Sequence, residues 1–91
     1  LWDATNGREI FTLKGHTEGV ASVTFSPDGK TVASASHDKT VKLWDATNGK
    51  EIFTLKRHTE GVASVTFSKD GKTVASASHD KTVKLWDATN G

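Results

Sequence analysis

Ninety-one residues with 34% apolar content bound the chain to one small globular unit, short enough to bury only about 60–65% of its unfolded surface. The absence of Cys excludes disulfides, thiolate zinc sites and thiol catalysis, and a net charge of +1 argues against a basic nucleic-acid surface or an acidic solvating tail. No apolar run approaches the roughly 18 residues of a membrane-spanning helix, and no signal-peptide pattern opens the chain. A chain that opens at Leu1 and holds no Met is expected to be cut from something longer or trimmed from a tag.

In chain order, Glu9-Ile10-Phe11-Thr12-Leu13 alternates and is rich in strand formers. Val20 to Phe25 predicts a second strand, ended by Ser26-Pro27-Asp28-Gly29, a turn in which Pro fixes φ and Gly supplies the left-handed residue. Thr31 to Ser36 predicts a third strand of small residues, suited to close packing. A short turn at His37-Asp38-Lys39 leads into a fourth, Thr40 to Asp45, after which Asn48-Gly49 predicts a tight hairpin of the primed type. The result is an all-β, up-and-down antiparallel meander with no helix.

This pattern occurs twice. A shift of 42 residues lays the chain on itself with three differences between residues 1–42 and 43–84: Arg8 against Lys50, Gly15 against Arg57, Pro27 against Lys69. Residues 85–91 then repeat Leu1 to Gly7 as a partial third unit. Natural arrays drift apart, so near-identity implies deliberate design or very recent duplication. A four-stranded meander has two apolar faces and covers neither alone. Small residues on the third strand (Ala33, Ser34, Ala35, Ser36) admit a neighbouring sheet, with Leu13, Val23, Phe25 and Leu43 filling the space. Radial stacking of identical sheets into a ring is the economical solution.

Gly15-His16, Phe25-Ser26-Pro27-Asp28-Gly29, Ser34-Ala35-Ser36-His37-Asp38 and Leu43-Trp44-Asp45 together resemble the WD-repeat (WD40) β-propeller consensus over essentially the whole chain. In that family the sequence repeat is offset from the structural blade. The resemblance implies a complete blade over 19–56 and a second over 61–91 that lacks its outer strand. Residues 8–14 are then an orphan outer strand (Glu9, Ile10, Phe11, Thr12, Leu13) that completes the blade of a neighbouring chain. It also implies a buried hydrogen-bond tetrad per blade: His16, Ser34, Asp38 and Trp44, then His58, Ser76, Asp80 and Trp86. The chemistry fits, because an Asp accepts from one imidazole nitrogen while a Ser hydroxyl links the other to the Trp N–H. Arg57 departs from the Gly expected before His58, at roughly 1 kcal/mol if that position needs φ > 0, and leaves the second tetrad the less secure.

His, Ser and Asp also invite a hydrolase reading, but no G-x-S-x-G elbow occurs and Ser34 is expected to face the core. No catalytic residue, cofactor or metal ligand is therefore assigned; His37 and His79 read as solvated turn residues. Charges are interspersed, five positive and five negative in the first repeat and seven and five in the second, so no nucleic-acid or membrane surface emerges. The resemblance implies partner binding on loops carrying Lys14, Thr17, Glu18, His37 and Lys39, although near-identical blades give little to tell partners apart. The expected function is non-enzymatic self-assembly into a closed propeller without a dedicated ligand. The alternative is a fragment of a natural WD-repeat scaffold with a protein or peptide partner. Two repeats per chain allow only even blade totals, with four chains favoured over three. Of the duplicated ends, the C-terminal copy is expected to occupy the inner-sheet slot.

Overall fold

The computed structural model describes residues 15–89. The predicted strand at 9–13 and the N-terminal copy of the duplicated segment lie outside the described residues. Seven strands follow in order: β1 (Val20–Phe25), β2 (Thr31–Ser36), β3 (Val41–Asp45), β4 (Glu51–Leu55), β5 (Val62–Phe67), β6 (Thr73–Ser78) and β7 (Val83–Asp87). They form two antiparallel sheets, one ordered β1-β2-β3-β4 and one ordered β5-β6-β7. The C-terminal copy of the duplicated segment enters β7, where Leu85 pairs with Ala75 and Asp87 with Thr73.

Turn chemistry sets the strand ends. Gly29 N donates to Ser26 O at 2.9 Å, and Gly29 takes the left-handed conformation at φ 74°. Ser26 Oγ donates to Asp28 Oδ1, which also accepts from Lys30 N. The equivalent turn keeps the same bonds with Lys69 in place of Pro27, including Gly71 N to Ser68 O at 3.0 Å. That substitution costs the turn no hydrogen bond. Lys39 and Lys81 occupy the matching left-handed position of the next turn, at φ 76° and 72°. A side chain there costs about 1 kcal/mol. Lys39→Asn is expected to raise the stability of the chain by about 0.5–1 kcal/mol, because Asn tolerates this conformation better; a denaturant titration checks it, and an unchanged or lower midpoint would contradict it.

The hairpin at Asn48-Gly49 differs from the sequence expectation. Only Gly49 has positive φ, and Gly49 N donates to Asp45 O while Asp45 N donates to Lys50 O, both at 2.8 Å. Either primed two-residue turn needs φ > 0 at its first central position, which Asn48 does not adopt. Asp45 Oδ1 accepts from Thr47 N instead, which winds the chain into a longer loop with a register shift between Leu43 and Trp44.

The core lies between the sheets. Alternation along paired strands puts Ala33, Ala35, Val41, Leu43, Phe53 and Leu55 on one face of the first sheet, its front. That front packs on the back of the second sheet, made by Val62, Val65, Phe67, Val74 and Trp86. Alanines on β2 let β5 approach, and the larger side chains of β3 and β4 fill the remainder.

Candidate functional site

Two clusters of polar side chains sit inside the sheets. His16 enters from the segment preceding β1, Ser34 from the middle of β2, Asp38 from the β2–β3 turn and Trp44 from β3. The His16 Nδ1–H donates to Asp38 Oδ2 at 2.8 Å, Ser34 Oγ donates to His16 Nε2 at 2.6 Å, and Trp44 Nε1 donates to Ser34 Oγ at 2.8 Å. An indole N–H can only donate and a carboxylate can only accept, so this chain of bonds has one consistent direction with a neutral imidazole. In the second sheet the bonds are His58 to Asp80 at 2.9 Å, Ser76 to His58 at 2.7 Å and Trp86 to Ser76 at 2.8 Å. Both imidazoles meet their indole edge-on, with ring centroids 6.3 and 6.2 Å apart. All eight sequence-predicted tetrad residues are thus brought together four by four.

Sequence reasoning missed three further contributors. Thr40 Oγ1 donates to Asp38 Oδ1, and Thr17 N donates to Asp38 Oδ2 at 3.1 Å. Ser36 Oγ donates to Gly19 O at 3.0 Å and accepts from Asp38 N, tying the turn to the start of β1. Thr two residues after Asp is a local signal that could have revealed Thr40 and Thr82. Among the described residues no buried side-chain nitrogen or oxygen lacks a partner.

Burial opposes the negative charge of Asp38, but the Thr40 hydroxyl, the His16 imidazole and the Thr17 and Thr40 backbone N–H groups outweigh it and hold the carboxyl at about 2. Asp80 is likewise lowered, by the Thr82 hydroxyl first, against burial, and then by His58. A carboxyl whose folded value lies below its unfolded 3.8 stabilises the fold above that pH and loses the contribution as pH falls through the folded value. The melting temperature is therefore expected to drop as pH falls from about 4 to about 2, and Asp38→Asn combined with Asp80→Asn should flatten that segment of the profile. A wild-type profile level down to pH about 2 would contradict the assignment.

The connectivity Ser–His–Asp is that of a hydrolase triad, but Ser34 is 5% exposed and its oxygen already accepts from Trp44. A nucleophile must reach substrate and leave that oxygen free to attack. This one is walled in, and Ser76 at 1% exposure is too. No group of three or more His, Asp or Glu with metal-holding geometry occurs among the described residues, nor any helix long and apolar enough to cross a membrane. His37 and His79 are exposed on their turns.

Position 15 is a site of close approach. A Cβ on Gly15 would lie 2.9 Å from Trp44 Cη2 and 3.0 Å from Glu51 Oε1. Arg57 does not have positive φ, so the conformational penalty weighed for it does not arise. The second tetrad keeps its bonds with Arg57 in place. Beside Gly15, Lys42 Nζ donates to Glu51 Oε1 and to Thr54 Oγ1, both at 2.9 Å, which ties β3 to β4. Hydrogen bonds from Thr54 and then Lys42 hold the Glu51 carboxyl below its ordinary range.

The two outward faces repeat the buried interface residue for residue. On the back of the first sheet Val23 is 60% exposed, whereas its counterpart Val65 is 5% exposed. On the front of the second sheet Leu85 is 72% exposed, whereas its counterpart Leu43 is fully buried. Val20, Phe25 and Val83 are exposed in the same way.

The family profile described as "WD domain, G-beta repeat" matches residues 7–45 and 49–87. Over 43 residues the chain is 43% identical to "Lissencephaly-1 homolog 1" of Paramecium tetraurelia, covering 47% of this chain and 11% of that protein. Over 44 residues it is 43% identical to human "WD repeat and SOCS box-containing protein 1", covering 47% of this chain and 10% of that protein. It is 59% identical over 32 residues to the "Notchless protein homolog" of Arabidopsis thaliana, covering 35% and 7%. The matched segments thus span about a tenth or less of the length of these relatives. With two profile matches over most of its length, tetrads at the repeat signatures and antiparallel sheets of the matching kind, the chain belongs to the WD40 repeat family.

Proposed function

We propose that the chain is a non-enzymatic repeat module that packs head to tail with copies of itself into a closed β-propeller. Designed or recently duplicated repeats account for its near-identical blades. One observation carries the reading: the two exposed faces are the two halves of an interface that the chain already buries between its own sheets. Full burial of a side chain such as Leu85 or Phe25 contributes roughly 1.5–3 kcal/mol, and exposed apolar patches of this kind mark association surfaces. A front-to-back contact is heterologous, so it generates rings when the rotation closes and filaments when it does not. Four chains would give eight blades and three would give six. In either ring the missing outer strand of the second blade comes from residues 8–14 of a neighbour.

Solution mass by light scattering tests this directly. A single species of four or three chains is the expected result, converted to monomer by Leu85→Glu. A monomeric wild type over the micromolar to millimolar range would overturn it.

A second reading is favoured by the greater length of the relatives, of which the matched segments cover only 11% and 10%. The chain would then be a portion of a larger WD-repeat scaffold, with a protein or peptide partner on the face carrying Thr17, Glu18, His37 and Lys39. A monomeric chain that binds a partner only within a longer array would be its signature.

A further inference from the structure

The free edge of β7 has a ready-made template inside the chain. In the first sheet the strand Val41–Asp45 pairs with Glu51–Leu55, with Val41 opposite Leu55, Lys42 opposite Thr54, Leu43 opposite Phe53 and Trp44 opposite Glu51. β7 has the same sequence, VKLWD, and has no fourth strand beside it among the described residues. The template also shows where the incoming glutamate sits. Glu51 Oε1 is 2.9 Å from Lys42 Nζ and 3.0 Å from the point where a Cβ on Gly15 would project.

In the second repeat Lys84 matches Lys42, and Arg57 replaces Gly15. The first blade therefore meets its glutamate with one cation, and the second offers two. Arg57 is exposed, Lys84 is half-buried, and neither has a carboxylate partner among the described residues. The Trp86 indole keeps its 2.8 Å bond to Ser76 with Arg57 at the position equivalent to Gly15, so the larger residue leaves the tetrad intact. With Arg57 and Lys84 at the positions of Gly15 and Lys42, a guanidinium and an ammonium would both face the strand's glutamate, and Arg adds a planar fork suited to a carboxylate.

We propose that Arg57 and Lys84 form a two-cation seat for the glutamate of an incoming fourth strand, and that this strand is residues 9–13 of a second copy, with Glu9 as the seated carboxylate. The inference rests on the assembly reading above. It adds the residue that selects the strand and fixes its register. The sequence EIFTL at 9–13 is identical to β4. In the template register Glu9 falls opposite Trp86, Phe11 opposite Leu85, Thr12 opposite Lys84 and Leu13 opposite Val83, which extends the apolar front of the second sheet by two side chains. This is strand addition at an open edge, with backbone bonds for affinity and one charged contact for register.

A double-mutant cycle in the full chain tests the seat, with dissociation of the assembly followed by sedimentation. Glu9→Gln and Arg57→Gly are each expected to weaken association, about fivefold for the latter. Added to Glu9→Gln, Arg57→Gly should have no further effect, and 1 M NaCl should shrink the wild-type advantage. Equal effects of Arg57→Gly with and without Glu9→Gln would overturn the seat while leaving assembly intact. If the wild type is monomeric, the assembly reading fails, and the seat is read separately by titrating a labelled peptide of residues 8–14 onto the chain. Binding that the Glu9→Gln peptide loses would support the seat; no binding at millimolar peptide would overturn it.

Discussion

Gly19→Leu is expected to leave the chain folded and to weaken association between copies about 5- to 150-fold, whereas Gly61→Leu should destabilise the chain itself. The two glycines are equivalent by sequence, but their surroundings differ. A Cβ on Gly61 would lie 3.2 Å from His37 Nδ1 and 3.3 Å from His37 Cα, across the junction between the sheets. The second contact is to backbone, which cannot swing aside. A Cβ on Gly19 would meet only His37 Cδ2 of its own sheet, at an ordinary 3.7 Å. In a head-to-tail ring, His79 of the preceding copy would occupy the place that His37 takes against Gly61. Overpacking costs about 1–3 kcal/mol, which within the chain lowers the unfolding free energy and between chains raises the dissociation constant about 5- to 150-fold. Thermal melting and solution mass, measured on both variants, separate the cases. A Gly19→Leu protein that melts normally and still assembles like wild type would remove the front-to-back geometry.

The second large effect concerns the tetrads. Ser34→Ala is expected to cost about 2–4 kcal/mol, because it strands two groups at once: the Trp44 N–H and His16 Nε2 each lose their partner, at about 1–3 kcal/mol per buried unsatisfied group. Trp44 is 4% exposed, so no water replaces the hydroxyl. Ser76→Ala should cost less in the isolated chain. Trp86 is only partly buried, and among the described residues β7 has no fourth strand beside it like the one that covers Trp44. The difference between the two variants should vanish once the outer strand is supplied, and denaturant titration above and below the assembly concentration would read it. Equal costs in the monomer would mean that burial of the indole does not set the penalty.

Much of the fold is legible in the sequence because it is local. Alternating β-branched and aromatic residues place β1 to β4, and Gly29 marks its turn through a φ that few other residues adopt without strain. The tetrad residues are legible only through resemblance to a family, since His16 and Asp38 are 22 positions apart and nothing in that spacing predicts contact. The Lys42–Glu51–Thr54 link is hidden for a similar reason. It depends on β3–β4 register, and the bulge at Leu43/Trp44 displaces the simple pairing. At position 15 the sequence suggests a demand on backbone conformation, whereas the structure shows one of space: the Cα of Gly15 faces an indole and a carboxylate.

By itself the sequence determined the repeat, the strands and the turn at Ser26–Gly29, because these follow from side-chain period and turn chemistry within a few residues. Only the tertiary structure decided which apolar face meets which. Both faces of the meander carry Val, Ala, Leu or Phe, so hydrophobicity alone cannot orient the sheets. The choice falls to shape: the alanines of β2 and the close approach of Gly61 to His37 admit β5 on the front of the first sheet. The same packing leaves the matching half of that contact open at each end of the pair.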